Sequence, residues 1–388
     1  MGSSNKHGIL RPLLLLLPLL ACALVLSYTQ EWQQQQPLDV APPPQCDISA
    51  GSWVYDRSYP LYRASDCPLV EQGFRCQDNG RPDSSYTKWR WKPSQCHIPS
   101  FHAARMLQLL RGRRIAFVGD SMGRTQWESL VCMLLTAVAD KSSVWEVNNR
   151  TITKREPYLA FHFAMHKVTV EYHRSPFLVQ ESPPPKHAPR RVRSILRLDQ
   201  LEASRTRWAD ADVLVFNSGH WWNPSKTRQV GCYFYVGNTL RLGMKLEAAY
   251  QAALNTWARW VDSLVDTNKT RVLFRSLEPS HWDWPRKRCS FQRQPNASSL
   301  AAPSSIPQLA LNRILHRVVQ GMNKSVGVLN ITTLSHSRSD AHVGRWSPGQ
   351  PPLDCSHWCL PGVPDTWNQL LYATLLSNKN NRVATSSN

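Results

Sequence analysis

The sequence predicts an α/β domain with a mainly parallel sheet flanked by helices. Two observations carry that expectation: apolar runs of strand length recur along the chain, and segments of helical period separate them. The strand runs are Arg113–Val118, Val213–Phe216 and Val272–Phe274, with a weaker one at Val326–Ile331. The helical stretches are Phe101–Leu110, Thr125–Leu135, Leu242–Val265 and Gln308–Met322, each with apolar residues at three- and four-residue spacing. A chain of 388 residues that is 42% hydrophobic and carries 16 Trp can fill one large core, and no internal repeat divides it.

Ahead of this domain, Pro12–Tyr28 is an almost unbroken apolar run without charge. Its length is at the low end for crossing a bilayer. Lys6 and Arg11 precede it and Glu31 follows, so the positive-inside rule leaves residues 1–11 as a cytoplasmic tail and 12–28 as a signal-anchor, with the remainder lumenal. Ala21-Cys22-Ala23 keeps signal cleavage open as the alternative. Residues 29–45 are Gln- and Pro-rich, as a stem should be. Residues 46–100 hold four cysteines among turn formers and aromatics, which predicts a loop-rich, disulfide-pinned subdomain. A catalytic domain over 101–376 and a polar tail over 377–388 complete the organisation, with surface loops at Pro183–Pro189 and Arg288–Pro307.

A secretory compartment fits the remaining composition. Sequons stand at Asn149, Asn268, Asn296, Asn323 and Asn330, each a glycosylation candidate in a lumen. Cys22 lies in the apolar run, and the other cysteines are 46, 67, 76, 96, 132, 232, 289, 355 and 359. That number is odd, so at least one stays unpaired, and spacing alone leaves the connectivity open. The formal charge of +19 is spread along the chain in pieces such as Arg111-Gly112-Arg113-Arg114 and Arg190-Arg191-Val192-Arg193, with no nucleic-acid motif. Acidic polysaccharides or membrane surfaces are the partners such a balance suits in a lumen, beside the plainer reading of a solvated basic face.

Three constellations carry chemistry. Gly119-Asp120-Ser121 ends the first strand run and opens a helix, which puts the Ser121 hydroxyl at the carboxyl edge of the sheet, where open α/β folds bind ligands. A helix N-terminus there directs N–H groups and positive dipole toward a developing oxyanion. Far downstream, Asp354-Cys355-Ser356-His357 sets a carboxylate and an imidazole three residues apart, so that Asp354 can fix the tautomer of a general base, His357, that serves Ser121. Asn217, in Phe216-Asn217-Ser218-Gly219-His220-Trp221-Trp222, follows the second strand run at the same edge and has an amide suited to an oxyanion, or to an ordinary strand-ending turn. Gly119, Asp120 and Arg124 complete the set of oxyanion or substrate candidates. A metal held by Cys355, His357 and Cys359 is a poor reading, because the alternating spacing is unlike a zinc pair and a lumen oxidises thiols.

Together these residues resemble the trichome birefringence-like family of plant polysaccharide O-acetyltransferases, related to the GDSL/SGNH esterases. The resemblance runs from about Cys46 to Leu376 through CDISAGSWVYD, FRCQDNGRPDSSYTKWRWKPSQC, GDSMGRTQWESL, FNSGHWW and LDCSHWCLPGVPDTWNQLLY. It implies an SGNH-like fold, Ser121 as nucleophile with Asp354 and His357 as acid and base, and no bound cofactor or metal. It also implies an acetyl donor such as acetyl-CoA or a derived carrier, a cell-wall polysaccharide acceptor (xylan, mannan, xyloglucan or pectin), and a single-pass type II Golgi protein. The serine N–H and Asn217 match the family's oxyanion donors, whereas no glycine aligns with the third. The resemblance further implies the disulfides Cys46–Cys96, Cys67–Cys132, Cys76–Cys359 and Cys289–Cys355, leaving Cys232 supernumerary. The sequence departs from the family at Ser339-Asp340-Ala341-His342-Val343, a departure expected to leave the triad untouched. The same residues also suit a polysaccharide acetylesterase, in which water replaces the sugar hydroxyl, and the charge suits a non-catalytic pectin-binding protein.

Overall fold

The structure, a computed structural model, describes residues 46–283, 286, 288–290, 292, 294–295, 307–348 and 353–384. The apolar run at 12–28, the stem and the Asn296 sequon lie outside these residues. Among the described residues no helix is long and apolar enough to cross a membrane.

Seven strands build the central sheet: β1 (Arg114–Gly119), β2 (Val144–Glu146), β3 (Tyr158–Phe163), β4 (Val168–Arg174), β5 (Val213–Phe216), β6 (Arg271–Arg275) and β7 (Gly327–Leu329). Their order is β7-β6-β5-β1-β4-β3-β2. The five strands from β7 to β4 run parallel, and β3 and β2 pair antiparallel at one edge. The sheet is therefore mixed, with the expected parallel body and an added antiparallel margin. A second sheet of four strands, Val179–Ser182, Ser194–Leu201, Cys232–Val236 and Thr239–Arg241, lay beyond the sequence expectation. The predicted loop at Pro183–Pro189 joins its first two strands.

Alternation along the strands divides the core into two layers, because successive side chains leave a strand on opposite faces. Ile115, Phe117, Val213, Val215 and Leu273 point into one apolar cluster, with the helices α1 (Ala103–Leu109), α2 (Ser121–Leu135) and α6 (Val363–Ala384). Ala116, Val118, Leu214, Phe216, Val272 and Phe274 point into the other, with α3 (Leu246–Leu264) and α4 (Pro307–Gln320). A short helix, α5 (Thr332–His336), follows β7. On α3 the buried residues Ala249, Tyr250, Ala253, Leu254, Trp257 and Val261 fall at helical spacing.

Two helix limits differ from expectation for identifiable reasons. The helix expected from Thr125 begins at Ser121, because Asp120 caps it by accepting from the Met122 N–H at 3.0 Å. The boundary drawn at residue 376 falls inside α6, whose polar last turns carry on to Ala384.

The cysteine-rich segment contributes to the core of the main domain. Its hairpin, Gly51–Tyr55 against Trp89–Pro93, stacks Trp53 edge-on to Trp91 with centroids 5.5 Å apart. Tyr62, Phe74, Tyr86 and Trp91 are buried in the same cluster as α2 and α6. Disulfides Cys67–Cys132 and Cys76–Cys359 tie the segment to α2 and to the C-terminal block, Cys46–Cys96 closes it internally, and Cys289–Cys355 braces the region of the predicted Arg288–Pro307 loop. These are the same four pairs that the resemblance implies. Cys232 is free and buried, and burial raises its thiol pKa.

Asp365, at the head of α6, joins three parts of the chain. It accepts from Ser129 Oγ at 2.6 Å, Tyr62 Oη at 3.1 Å and the Gly362 N–H at 2.8 Å. Burial outweighs these bonds and pushes its carboxyl up to about 7. Because this lies above the ordinary 3.8, the folded chain holds more protons than the unfolded one across that window. Stability contributed here is present at low pH and is lost as pH rises through the folded value. An Asp365→Asn variant, scanned for thermal midpoint from pH 4.5 to 7.5, should therefore gain on wild type as pH rises. A pH-independent difference would remove Asp365 from this role.

Candidate active site

The nucleophile turn is built from β1, the start of α2 and the residue following β5. Backbone contact is so close that a Cβ on Gly119 would sit 2.0 Å from Asn217 Oδ1, and one on Gly123 would sit 2.1 Å from it. Glycine is required at both places for that approach. Asn217 Nδ2 donates to Asp120 Oδ1 at 2.6 Å, and Tyr172 Oη donates to the Asp120 carbonyl at 3.2 Å. Asn217 is buried and outside the cleft lining. In this structure, then, Asn217, Gly119 and Asp120 support the turn, with the Asn217 amide on Asp120. Ser121, as the first residue of α2, projects from the turn with its hydroxyl available.

His357 arrives from the opposite end of the chain on strand Asp354–Trp358, which pairs antiparallel with His342–Gly344. Ser121 Oγ lies 2.7 Å from His357 Nε2, and His357 Nδ1 lies 2.7 Å from Asp354 Oδ2. A carboxylate can only accept here, so Nδ1 carries a proton and a neutral ring presents the lone pair of Nε2 to the serine. The second oxygen, Asp354 Oδ1, accepts the backbone N–H groups of Ser356 and His357 at 3.0 and 2.9 Å. Burial alone would raise the Asp354 pKa, but the neighbouring His357 and these bonds hold the carboxyl well below its ordinary range. The arrangement can pass the Ser121 proton to the imidazole.

Phe74, Arg124 and His342 hold His357 in place, and Arg124, a substrate candidate from the sequence, acts here as a brace. Phe74 packs against the His357 ring at 5.6 Å between centroids, and the Arg124 guanidinium sits 5.0 Å from the Phe74 centroid. Arg124 is buried and bound to Glu71 and to Glu128 Oε1, so it braces this stack and its charge is committed within the protein. Behind the strand, His342 Nδ1 donates to the His357 carbonyl at 2.9 Å. His342 Nε2 lies 2.6 Å from His281 Nδ1, and His281 Nε2 lies 2.7 Å from the His336 carbonyl oxygen. Burial pushes His281 down to about 4 and His342 well below the imidazole range. The departure at Ser339–Val343 thus does reach the triad, through His342.

The three side chains open onto a cleft of ≈ 1340 Å³. Beyond the triad its walls include Phe74, His220, Trp221 and Trp282. His220 Nε2 lies 2.9 Å from Glu278 Oε1. Burial would lower the His220 pKa, but Glu278 reverses this and raises it. Burial would raise Glu278 in turn, yet Arg275 and His220 draw it down to about 2. His220 adjoins Gly219 and Trp221 in the motif already noted, so its position after β5 was the available signal.

Cys355 and Cys359 are both spent in disulfides, so neither is a thiolate for a metal. Of the sequons, Asn149, Asn268 and Asn323 are exposed. Asn330 is half-buried and its amide donates to Ser49 Oγ at 3.2 Å.

Comparison with known proteins agrees with this geometry. The profile of the PC-Esterase family, described as a GDSL/SGNH-like acyl-esterase family found in Pmr5 and Cas1p, matches residues 98–374. The PMR5 N-terminal domain profile matches residues 44–97. Trichome birefringence-like 7 of Arabidopsis thaliana is 52% identical over 84% of this chain and 72% of its own length. Trichome birefringence-like 9 of the same plant is 42% identical over 86% of this chain and 84% of its own. Trichome birefringence-like 38 is 42% identical over 85% and 84%. A serine, histidine and aspartate meeting at a sheet edge, with both profiles in tandem, mean that this chain belongs to the PC-esterase family in its trichome birefringence-like branch.

Proposed function

We propose that the protein transfers acetyl groups to hydroxyls of a plant cell-wall polysaccharide through an acetyl-serine at Ser121. The observation that carries this reading is the continuous hydrogen-bonded line Ser121–His357–Asp354 opening onto a cleft. In the first step His357 Nε2 takes the Ser121 proton while Oγ attacks the acetyl carbonyl of the donor. The tetrahedral oxyanion collapses, the donor's leaving group departs with that proton, and Ser121 holds the acetyl group. In the second step His357 takes the proton of a sugar hydroxyl, whose oxygen attacks the acetyl carbon. Ser121 then leaves and recovers the proton.

The positive end of α2 favours both oxyanions, since Ser121 stands at its first position. The Met122 N–H is already held by Asp120, which leaves the Ser121 N–H as the donor we assign. Asp354 keeps the ring in the tautomer that both steps need and balances the imidazolium that each step forms.

Breadth of the cleft supports a polymer acceptor. Its ≈ 1340 Å³ exceeds the range typical of small-molecule pockets, and Trp221 and Trp282 on its walls offer flat faces to sugar rings. We place the protein in the Golgi as a type II lumenal enzyme anchored by residues 12–28. Four disulfides support an oxidising compartment, and the charge flanks of the apolar run support the orientation.

The reading is tested by incubating the purified protein with an acetyl donor and a panel of cell-wall oligosaccharides, followed by mass. A product heavier by one acetyl group on a sugar is expected. Free acetate with no acetylated sugar at any acceptor concentration would make the protein an esterase. Ser121→Ala should lower transfer by about a thousandfold or more while oligosaccharide affinity is kept. Asp354→Asn should retain more activity than His357→Ala, because the imidazole survives in a wrong orientation. Equal activity of the two variants would count against the assigned roles.

A further inference from the structure

The cleft wall is electrostatically one-sided. Of the four carboxylates lining it, Glu71 is bound to Arg124 and Asp354 to His357, while buried Asp120 accepts from the neutral Asn217 amide and the Met122 N–H, and Glu247 is exposed. Six cations line the same cleft: Arg124, which is held by Glu71 and Glu128, and five others, Lys154, Arg174, Lys226, Arg228 and Lys245. None of the five forms an ion pair with another described residue. Cations left unneutralised in a concave wall focus a positive field on whatever enters it.

Two of these cations flank one aromatic ring beside the nucleophile. Arg174 ends β4 and stands in register with Gly119, two residues before Ser121 on the adjoining strand. Its guanidinium lies 5.0 Å from the Trp221 ring centroid, and Lys226 Nζ lies 5.1 Å from the same centroid. Trp221 is itself braced edge-on by Phe177, with centroids 5.6 Å apart. A pyranose ring that carries a carboxylate matches this group: its apolar face packs on the exposed part of the half-buried indole, and its carboxylate meets the guanidinium and the ammonium.

We infer that the arm of the cleft formed by Arg174, Trp221 and Lys226 is a subsite for a uronosyl residue, so that the acceptor is an acidic polysaccharide. This inference rests on the acceptor being a polysaccharide, and it adds the chemical class of sugar bound beside Ser121. An oxyanion is also present on a phosphate-bearing acetyl donor, so the test separates the two sources.

Binding is measured by calorimetry on the full-length Ser121→Ala protein, which needs no turnover and so stands apart from the acetyl-transfer reading. Oligogalacturonate and a neutral xylo-oligosaccharide of the same length are compared, at low and at high salt. Oligogalacturonate is expected to bind about tenfold more tightly at low salt, with the advantage shrinking as salt screens it. Adding Arg174→Gln and Lys226→Gln should remove that advantage and leave the neutral sugar unchanged, and Arg174→Lys with Lys226 intact should restore most of it. Both side chains are exposed, so their replacement leaves the core alone. Equal affinity for the acidic and neutral sugars would overturn the proposal. So would a loss, in the double variant, of acetyl-CoA affinity alone.

Discussion

The hydrogen bond between Ser121 and His357 closes a loop of 236 residues, and the surrounding structure is arranged to keep it closed. Ser121 is fixed by the β1–α2 turn, which needs the two glycines and Asn217 to pack as they do. His357 is fixed by a short strand that would otherwise be an exposed loop. Disulfides Cys289–Cys355 and Cys76–Cys359 bracket that strand on either side of the imidazole. The second of them joins it to the N-terminal segment, which therefore serves as a brace for the site. Asp365 repeats the tie without covalent bonds, linking Tyr62, Ser129 on α2 and Gly362 in one buried node.

Buried polar groups surround this contact to an unusual degree. The Glu71–Arg124–Glu128 cluster lies beneath Phe74, the His281–His342 pair lies behind the strand that carries His357, and Arg275 and Glu278 back His220, which lines the cleft. Each network is costly if one partner is lost, about 3–5 kcal/mol for a buried ion pair left half made. Such groups specify a single arrangement of the side chains they touch. Here they touch Phe74, the His357 backbone and the mouth of the cleft, so that the imidazole has little freedom to leave the serine.

Much of the parallel sheet was legible because β1, β5 and β6 are continuous apolar runs, as strands covered on both faces must be. β4 was not, since Glu171 and His173 interrupt its apolar pattern. Both are buried, and they satisfy each other at 2.9 Å with Arg114 as a third partner. Pairing makes them acceptable inside, and pairing is not visible along the chain. Likewise Ser121, Asp354 and His357 were legible from local spacing, whereas the turn role of Asn217 depends on contact across β1 and β5. The role of His342 is not legible either, because its partner, the His357 carbonyl, is a backbone atom with no sequence signature. The cationic wall follows the same rule: Arg174, Lys226 and Lys245 come from three separate elements and share a surface only when the chain is folded.

The account stands on Ser121 carrying the acetyl group between donor and acceptor. Its most direct measurement is to mix the protein with an acetyl donor in the absence of acceptor, quench in acid, digest, and weigh the peptide that contains Ser121. One added acetyl on that residue is expected, disappearing when an acceptor sugar is supplied before the quench and absent in a His357→Ala protein. An unmodified Ser121 peptide under conditions where the protein acetylates sugars would contradict the account.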